Sequence, residues 1–187
     1  MSTIENIIIE AGLDHHKQVV LNTLNYLRNI KVCITEDELS IVTSSGSSFV
    51  IKPSHKAEEV YQYFFSRETM NNIVDMYKAV YPHPHIVEMT RFNLQSQVIS
   101  WRRLEFPDKE QVVNEIREIG CSISDALDHI HEKGYIHGDP RLDNVGLFGY
   151  PPKYVLFDFN LSKKSNNPED HQRDRYVLAK SIVYHVG

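Results

Sequence analysis

The chain has 187 residues, 41% of them apolar and 24% charged, a composition that excludes the disordered and fibrous classes and allows one sizeable core or two small ones. Its 20 basic and 25 acidic residues give a net charge of −5, without the basic footprint that neutralises a phosphate backbone, so nucleic acid is not expected as a primary partner. The two cysteines, Cys33 and Cys121, lie far apart and are expected as buried, reduced thiols in an intracellular setting, cytoplasmic before nuclear. The apolar run Ile7–Ile9 is too short for a signal-peptide core or a membrane span.

Along the chain, His15–Arg28 carries Val19, Val20, Leu24 and Leu27 on one side, which predicts a helix. Extended segments are expected over Lys31–Thr35 and Leu39–Thr43. The turn Ser44–Ser48 (SSGSS) then leads into an apolar strand, Phe49–Lys52, ended by Pro53, which cannot donate to a ladder. Ala57–Val80 reads mostly as helix, interrupted near Ser66. Val98–Trp101 reads as a strand that could pair with Ile86–Met89, with Trp101-Arg102-Arg103 as a strand edge and its connection.

Farther on, Val113, Ile116, Ile119, Ile123, Ala126, Leu127 and Ile130 recur at spacings of three and four, the pattern of a long amphipathic helix. Lys133 and Gly134 mark its end, a cation for the dipole and a residue free to turn left-handed. The stretch His137–Asn144 (HGDPRLDN) follows. Val145–Phe148, a Gly-Tyr-Pro-Pro turn and Tyr154–Phe157 then read as a β-hairpin, which ends in Asp158-Phe159-Asn160. Ser162–Asp170 (SKKSNNPED) reads as an exposed loop.

A hairpin returns the chain to its starting point, so Asn144, before its first strand, and Asp158, after its second, become neighbours. An amide oxygen beside a carboxylate suits Mg²⁺, which keeps several waters and shares its remaining ligands with phosphates. Asp139, held by the same loop, could orient and deprotonate an incoming hydroxyl, and Arg141 could offer a cation to a phosphoryl group in transfer. The outline is that of a phosphoryl-transfer site.

Residue by residue, this stretch resembles the catalytic and metal-binding segments of the protein-kinase superfamily. His137-Gly138-Asp139 stands where kinases carry H-R-D, Asn144 falls on the motif's asparagine, and Asp158-Phe159-Asn160 stands where they carry D-F-G. Val50-Ile51-Lys52 resembles the end of the V-A-I-K strand, and His83-Pro84-His85-Ile86-Val87 the H-P-N-I-V stretch after the kinase C-helix. Asp174–Ala179 (DRYVLA) is similar to the D-V-Y-S-L-G start of the large central helix.

The resemblance implies an α+β, kinase-like two-lobe fold in one domain, 1–187. A small β-containing N-lobe with an N-terminal helix would span 1–101, and a partial, truncated helical C-lobe 102–187. It implies ATP and Mg²⁺ as cofactors, Lys52 as the phosphate clamp, Asn144 and Asp158 as metal ligands, Asp139 as base, Arg141 as charge stabiliser, and Asp174 as a brace for the loop backbone. The partner of Lys52 would be Glu68 or Asp75, Glu68 being favoured. The expected activity is ATP-dependent transfer to a hydroxyl on protein Ser or Thr.

The pattern also departs from that family. Gly138 replaces the arginine that receives an activation-loop phosphate, and H-G-D is similar instead to aminoglycoside phosphotransferases and atypical kinases. Asn160 stands for glycine, where its tolerance of positive φ would matter. No G-x-G-x-x-G occurs, the turn Glu36-Asp37-Glu38 is acidic, and Gly146 stands where an aliphatic side chain usually lies under adenine. A pseudokinase that binds partners without turnover and a small-molecule phosphotransferase therefore remain alternatives. A histidine-based metal hydrolase is weaker, because His129 and His131, two apart on a helix, point about 200° from each other.

Overall fold

The computed structural model describes residues 34–36, 39–44, 48–53, 58–95 and 97–186. The expected His15–Arg28 helix, Cys33, Asp37-Glu38 and the centre of the serine-glycine turn lie outside them. Strands β1 (Ile34–Glu36), β2 (Leu39–Ser44), β3 (Ser48–Pro53) and β4 (Glu59–Phe64) precede helix α1 (Arg67–Val80). Strands β5 (Met89–Asn93) and β6 (Val98–Arg102) complete a six-stranded antiparallel sheet of order β1-β2-β3-β4-β6-β5. The contacts divide the chain into two compact units. The first holds the described residues up to Asn71 together with Met89–Arg103, and the second holds Asn72–Glu88 and the described residues from Leu104 onward.

Three features of the first unit differ from the sequence expectation. The stretch expected as interrupted helix over 57–80 is helix only from Arg67 onward: Glu59–Phe64 is strand β4, paired to β3 and β6. Val60, Tyr61, Tyr63 and Phe64 are β-branched and aromatic and suit a pleated surface, and the helix starts only where Ser66 caps it, its Oγ accepting from Thr69 N–H at 3.3 Å. The partner of β6 is Met89–Asn93 rather than Ile86–Met89, while Ile86 instead bridges Leu156 in the second unit. Trp101 is also not at a sheet edge, because β6 runs between β4 and β5.

A buried polar chain ties three strands of this sheet. Trp101 Nε1–H donates to Gln62 Oε1 at 2.9 Å, and Gln62 Nε2–H donates to Ser48 Oγ at 2.9 Å. All three residues are buried, so each of these bonds offsets a desolvation cost that water cannot meet.

In the second unit, the expected long helix is broken. Helices α2 (Lys109–Asn114) and α3 (Ile116–Glu132) meet at Glu115, whose φ of −109° and ψ of 14° interrupt the run. Asp108 caps α2 through Gln111 N–H at 2.8 Å. The apolar face read from the sequence is in place on α3, with Ile119, Ile123, Ala126, Leu127 and Ile130 buried. Gly134 follows at φ +79°, the left-handed step that ends the helix. Cys121 is exposed on α3 rather than buried, since it lies off the apolar stripe.

Strand β7 (Tyr135–Ile136) leads into the loop before the hairpin β8 (Val145–Phe148) and β9 (Lys153–Leu156), which forms as expected. The expected loop over Ser162–Asp170 contains a short strand β10 (Lys163–Lys164), paired to β7, and the first turn of α4 (Pro168–Val186). Asn167 Oδ1 accepts from Glu169 N–H at 3.0 Å, and Pro168 takes the first helical position, a favoured pairing at a helix start. Among the described residues no helix is long and apolar enough to cross a membrane.

The polar chain gives a direct test. Gln62→Ala removes the acceptor of the Trp101 indole and the donor to Ser48, and is expected to cost about 1–3 kcal/mol in urea unfolding. A variant as stable as the wild type would show that the chain does not support the sheet.

Candidate active site

The HGDPRLDN loop is held from below by helix α4. Asp174 is 2% exposed and lies in the second turn of the helix, not at its start as the sequence suggested. Its Oδ2 accepts from His137 N–H at 2.9 Å and from His131 Nε2 at 3.0 Å, and its Oδ1 accepts from Gly138 N–H at 2.9 Å. Burial alone would raise the Asp174 pKa, but these donors outweigh it and hold the carboxyl below its ordinary value. Seven positions on, Ser181 Oγ accepts from Leu142 N–H at 2.9 Å. Two helical turns separate these side chains, so one face of α4 grips the loop at both ends. Sequence reasoning missed Ser181, although its i+7 spacing from Asp174 was the available signal.

His137 is fully buried and links the loop to the hairpin. Its Nδ1 accepts from Asp139 N–H at 3.2 Å, which leaves Nε2 to donate to Phe157 O at 3.0 Å. Burial pushes its pKa down against the opposing pull of Asp174, the Phe157 carbonyl, Asp158 and Asp139, so the ring is neutral at pH 7. Phe157 N–H in turn donates to Asn144 O at 3.0 Å. Both polar groups of the Phe157 peptide frame are thus fixed immediately before Asp158.

These bonds bring the two ends of the hairpin together. Asn144 is buried, and its Nδ2 donates to Asp139 O at 2.8 Å, which fixes the amide orientation and leaves Oδ1 as its acceptor end. Asp158 sits at φ +64°, ψ +69°, a left-handed conformation that costs an aspartate about 1–2 kcal/mol. The left-handed residue is therefore Asp158, and Asn160, where tolerance of positive φ was expected to matter, instead lies in a short 3₁₀ turn. Arg141 reaches Asp139 through two bonds, Nε to Oδ1 and Nη2 to Oδ2, both at 2.8 Å. That fork raises the guanidinium pKa further.

Gly138 has a steric explanation. At φ +90°, a Cβ would meet Leu161 O at 2.5 Å and Leu161 Cβ at 2.8 Å, so neither arginine nor any other side chain fits there. The segment that follows Asn160 is pinned against the loop for the same reason. Ser162 Oγ donates to His137 O at 3.1 Å, and Ser165 N–H donates to Gly134 O at 2.9 Å.

Lys52 and Glu68 belong to the first unit. Lys52 lies on β3 opposite Ser40, and Glu68 is exposed on the first turn of α1, as Asp75 is two turns later. Strand β4 stands between β3 and α1, so the strand that runs into the helix is EVYQYF, which contains no lysine. The expected V-A-I-K match thus falls one strand too early.

The histidines of the metal-hydrolase alternative that the structure describes are engaged in packing and hydrogen bonds. His129 contacts Val80 O at 2.9 Å and stacks on His83, whereas His131 faces Asp174 and stacks on His171. Among the described residues no group of three or more His, Cys, Asp or Glu could hold a metal. Asn144 and Asp158 could each offer a hard oxygen to a cation that takes its other ligands from phosphates and water.

Comparison with known proteins agrees with this frame. The kinase domain of PknI from Mycobacterium tuberculosis superposes with a TM-score of 0.56 at 21% identity, covering 82% of this chain and 75% of that one. The chain thus shares the fold of a protein-kinase domain. The Bud32 subunit of the EKC/KEOPS complex of Dictyostelium discoideum is 34% identical over 76 residues, 41% of this chain and 30% of its own. Serine/threonine-protein kinase 1 of the Orgyia pseudotsugata multicapsid polyhedrosis virus is 39% identical over 79 residues, 42% of this chain and 27% of its own. The chain spans between 11% and 31% of the length of the curated relatives it matches. No family model matches it.

Two outcomes follow for this kinase-like loop. Gly138→Ala is expected to lose about 1–3 kcal/mol of stability in thermal unfolding, from positive φ and the Leu161 carbonyl together; an unchanged melting temperature would contradict the contact. The pH dependence is set by two depressed groups. The His137 contribution is complete above about pH 6.5 and is lost as pH falls through its lowered folded pKa. The Asp174 contribution is complete above about pH 4 and is lost as pH falls through its own lowered folded pKa. Stability is therefore expected to decline in two stages on acidification, and Asp174→Asn should remove the lower one.

Proposed function

We propose that the chain transfers the terminal phosphoryl group of ATP to a hydroxyl, with Mg²⁺ as cofactor and a protein Ser or Thr as acceptor. The observation that carries this reading is the bonding of Asn144 Nδ2 to Asp139 O and of Phe157 N–H to Asn144 O, one residue before Asp158. The names of two relatives, a viral serine/threonine-protein kinase and the serine/threonine-protein kinase PknI, support the acceptor class.

In this mechanism Asp139 receives the proton of the acceptor hydroxyl as its oxygen forms a bond to the phosphorus and ADP leaves. Arg141 orients the Asp139 carboxylate through its two-point bond and presents its remaining N–H groups to the phosphoryl oxygens. Asn144 Oδ1 and the Asp158 carboxylate would hold Mg²⁺, which supplies charge neutralisation on the phosphates. His137 acts as a positioning residue, since it fixes the Phe157 peptide from which Asp158 follows. Asp174 and Ser181 keep the loop in register without touching the reacting atoms.

A second reading, a binding module with little turnover, is favoured by the absence of lysine from β4 and by Arg141 engaging both oxygens of Asp139. Purified protein assayed for Mg²⁺-dependent ATP turnover beside Asp139→Ala and Asp158→Ala separates the two. The transferase reading expects each variant to lose about 100-fold or more. Residual turnover equal in all three proteins, with ATP still bound, would leave the binding module.

A further inference from the structure

The loop after α1 is bound to β9 by contacts that the phosphoryl-transfer residues do not use. Leu156 N–H donates to His85 O at 2.9 Å, and Val87 N–H donates to Leu156 O at 3.1 Å, so residues 85–87 lie along the strand. The His85 ring adds a third bond, its Nδ1–H donating to Tyr154 O at 2.8 Å. Since β9 ends two residues before Asp158, this loop flanks the strand that delivers that carboxylate.

His83 closes the turn that sets this loop. Its Nδ1 accepts from His85 N–H at 3.2 Å, and Pro84 between them has a fixed φ and no competing N–H. The His83 side chain is 11% exposed. From α3 it faces the Asp125 carboxylate, Nε2 to Oδ2 at 3.4 Å, and the stacked His129 ring, with centroids 4.7 Å apart. From its own loop it faces His85, with centroids 5.9 Å apart. His129 in turn donates from Nε2 to Val80 O, on the last residue of α1, at 2.9 Å. Only the neutral His83 ring fits this arrangement, because Nδ1 must keep its lone pair to accept from His85 N–H. A proton there sets donor against donor and puts a charge against the His129 face in a mostly buried site. The Asp125 side chain is 64% exposed, so water screens its attraction. Burial, with the His129 ring, holds the His83 pKa below its ordinary value.

We propose that His83 is an acid-released latch: its neutral ring holds residues 85–87 on β9, and its protonation opens the turn and frees them. The inference goes beyond the phosphoryl-transfer reading and stands whether or not the chain turns over ATP. The latch is complete above about pH 6.5 and is lost as pH falls through the lowered folded pKa. His137 closes the same kind of bond, to the N–H two residues on, with Asp139, and its pKa is lowered as well. The two turns are therefore told apart by amides read one at a time.

Amide hydrogen exchange by NMR, corrected for the intrinsic pH dependence of exchange, tests this from about pH 7.5 to about pH 5 in wild type, His83→Asn and His83→Ala. Wild type is expected to lose protection about tenfold or more at His85, Val87 and Leu156, with a midpoint equal to that of the His83 ring shifts. Asparagine offers an oxygen to the same N–H and takes no proton, so His83→Asn should stay protected at these amides while its Asp139 amide still responds. His83→Ala has no acceptor there and should be unprotected even at the upper pH. Protection at Val87 and Leu156 that does not change with pH in wild type would overturn the latch. A loss whose midpoint differs from that of the His83 ring, a loss in His83→Asn that matches wild type, or an alanine variant as protected as wild type would each overturn it too.

Discussion

One buried carboxylate organises the second unit. Asp174 sits inside α4 with both oxygens spent on donors from the loop and from α3, and its ionised form is the only one that can accept all three bonds. An aspartate in that position without those donors would be a large desolvation cost. With them it fixes the backbone at His137 and Gly138, and the path of the chain toward Asp139 follows. The same helix face adds Ser181 at Leu142, so the loop is held at its entrance and near its exit by a rigid element rather than by its own turns.

From that anchor the order spreads through hydrogen bonds of alternating direction. Asp174 sets His137, the His137 ring sets the Phe157 carbonyl, and the Phe157 amide sets Asn144. Asn144 then returns to the Asp139 carbonyl, closing a circuit around the hairpin base. Two residues in uncommon backbone conformations, Gly138 and Asp158, sit on this circuit. Local strain of this kind persists where surrounding structure determines it, and it gathers at functional sites. Gly138 also shows why an arginine is missing: the Leu161 carbonyl occupies the space, which leaves the following segment pinned to the loop.

Much of the second unit was readable in the sequence, because its signals are local and periodic. The α3 apolar stripe, the Gly134 terminus and the β8–β9 hairpin with its Asn144 and Asp158 ends each rest on spacings within about twenty residues. The first unit was less readable. Residues 57–66 have a composition that fits helix or strand, and only pairing between β3 and β6 decides for strand, a choice made by tertiary context. With β4 formed, Lys52 on β3 is separated from α1 by a further strand in the chain. The motif marks Asp174, but its place in the second turn of α4 depends on the Asn167-Pro168 helix start, which sits in a polar stretch with the composition of a loop. Leu104, which fills the space a side chain at Gly146 would take, was not readable at all, since no pattern links a residue after β6 to a glycine so much later in the chain.

Asn144 and Asp158 are proposed as one cation site for a bound nucleotide, presented by the circuit that Asp174 anchors. Electron paramagnetic resonance of Mn²⁺-ATP, with Mn²⁺ in place of Mg²⁺, measures it most directly. The account predicts that adding wild-type protein broadens and diminishes the free Mn²⁺-ATP signal, and that Asn144→Ala, with its fold confirmed by circular dichroism, restores the free signal. A wild-type protein that leaves the spectrum unchanged, or an Asn144→Ala variant that binds Mn²⁺-ATP as wild type does, would contradict it.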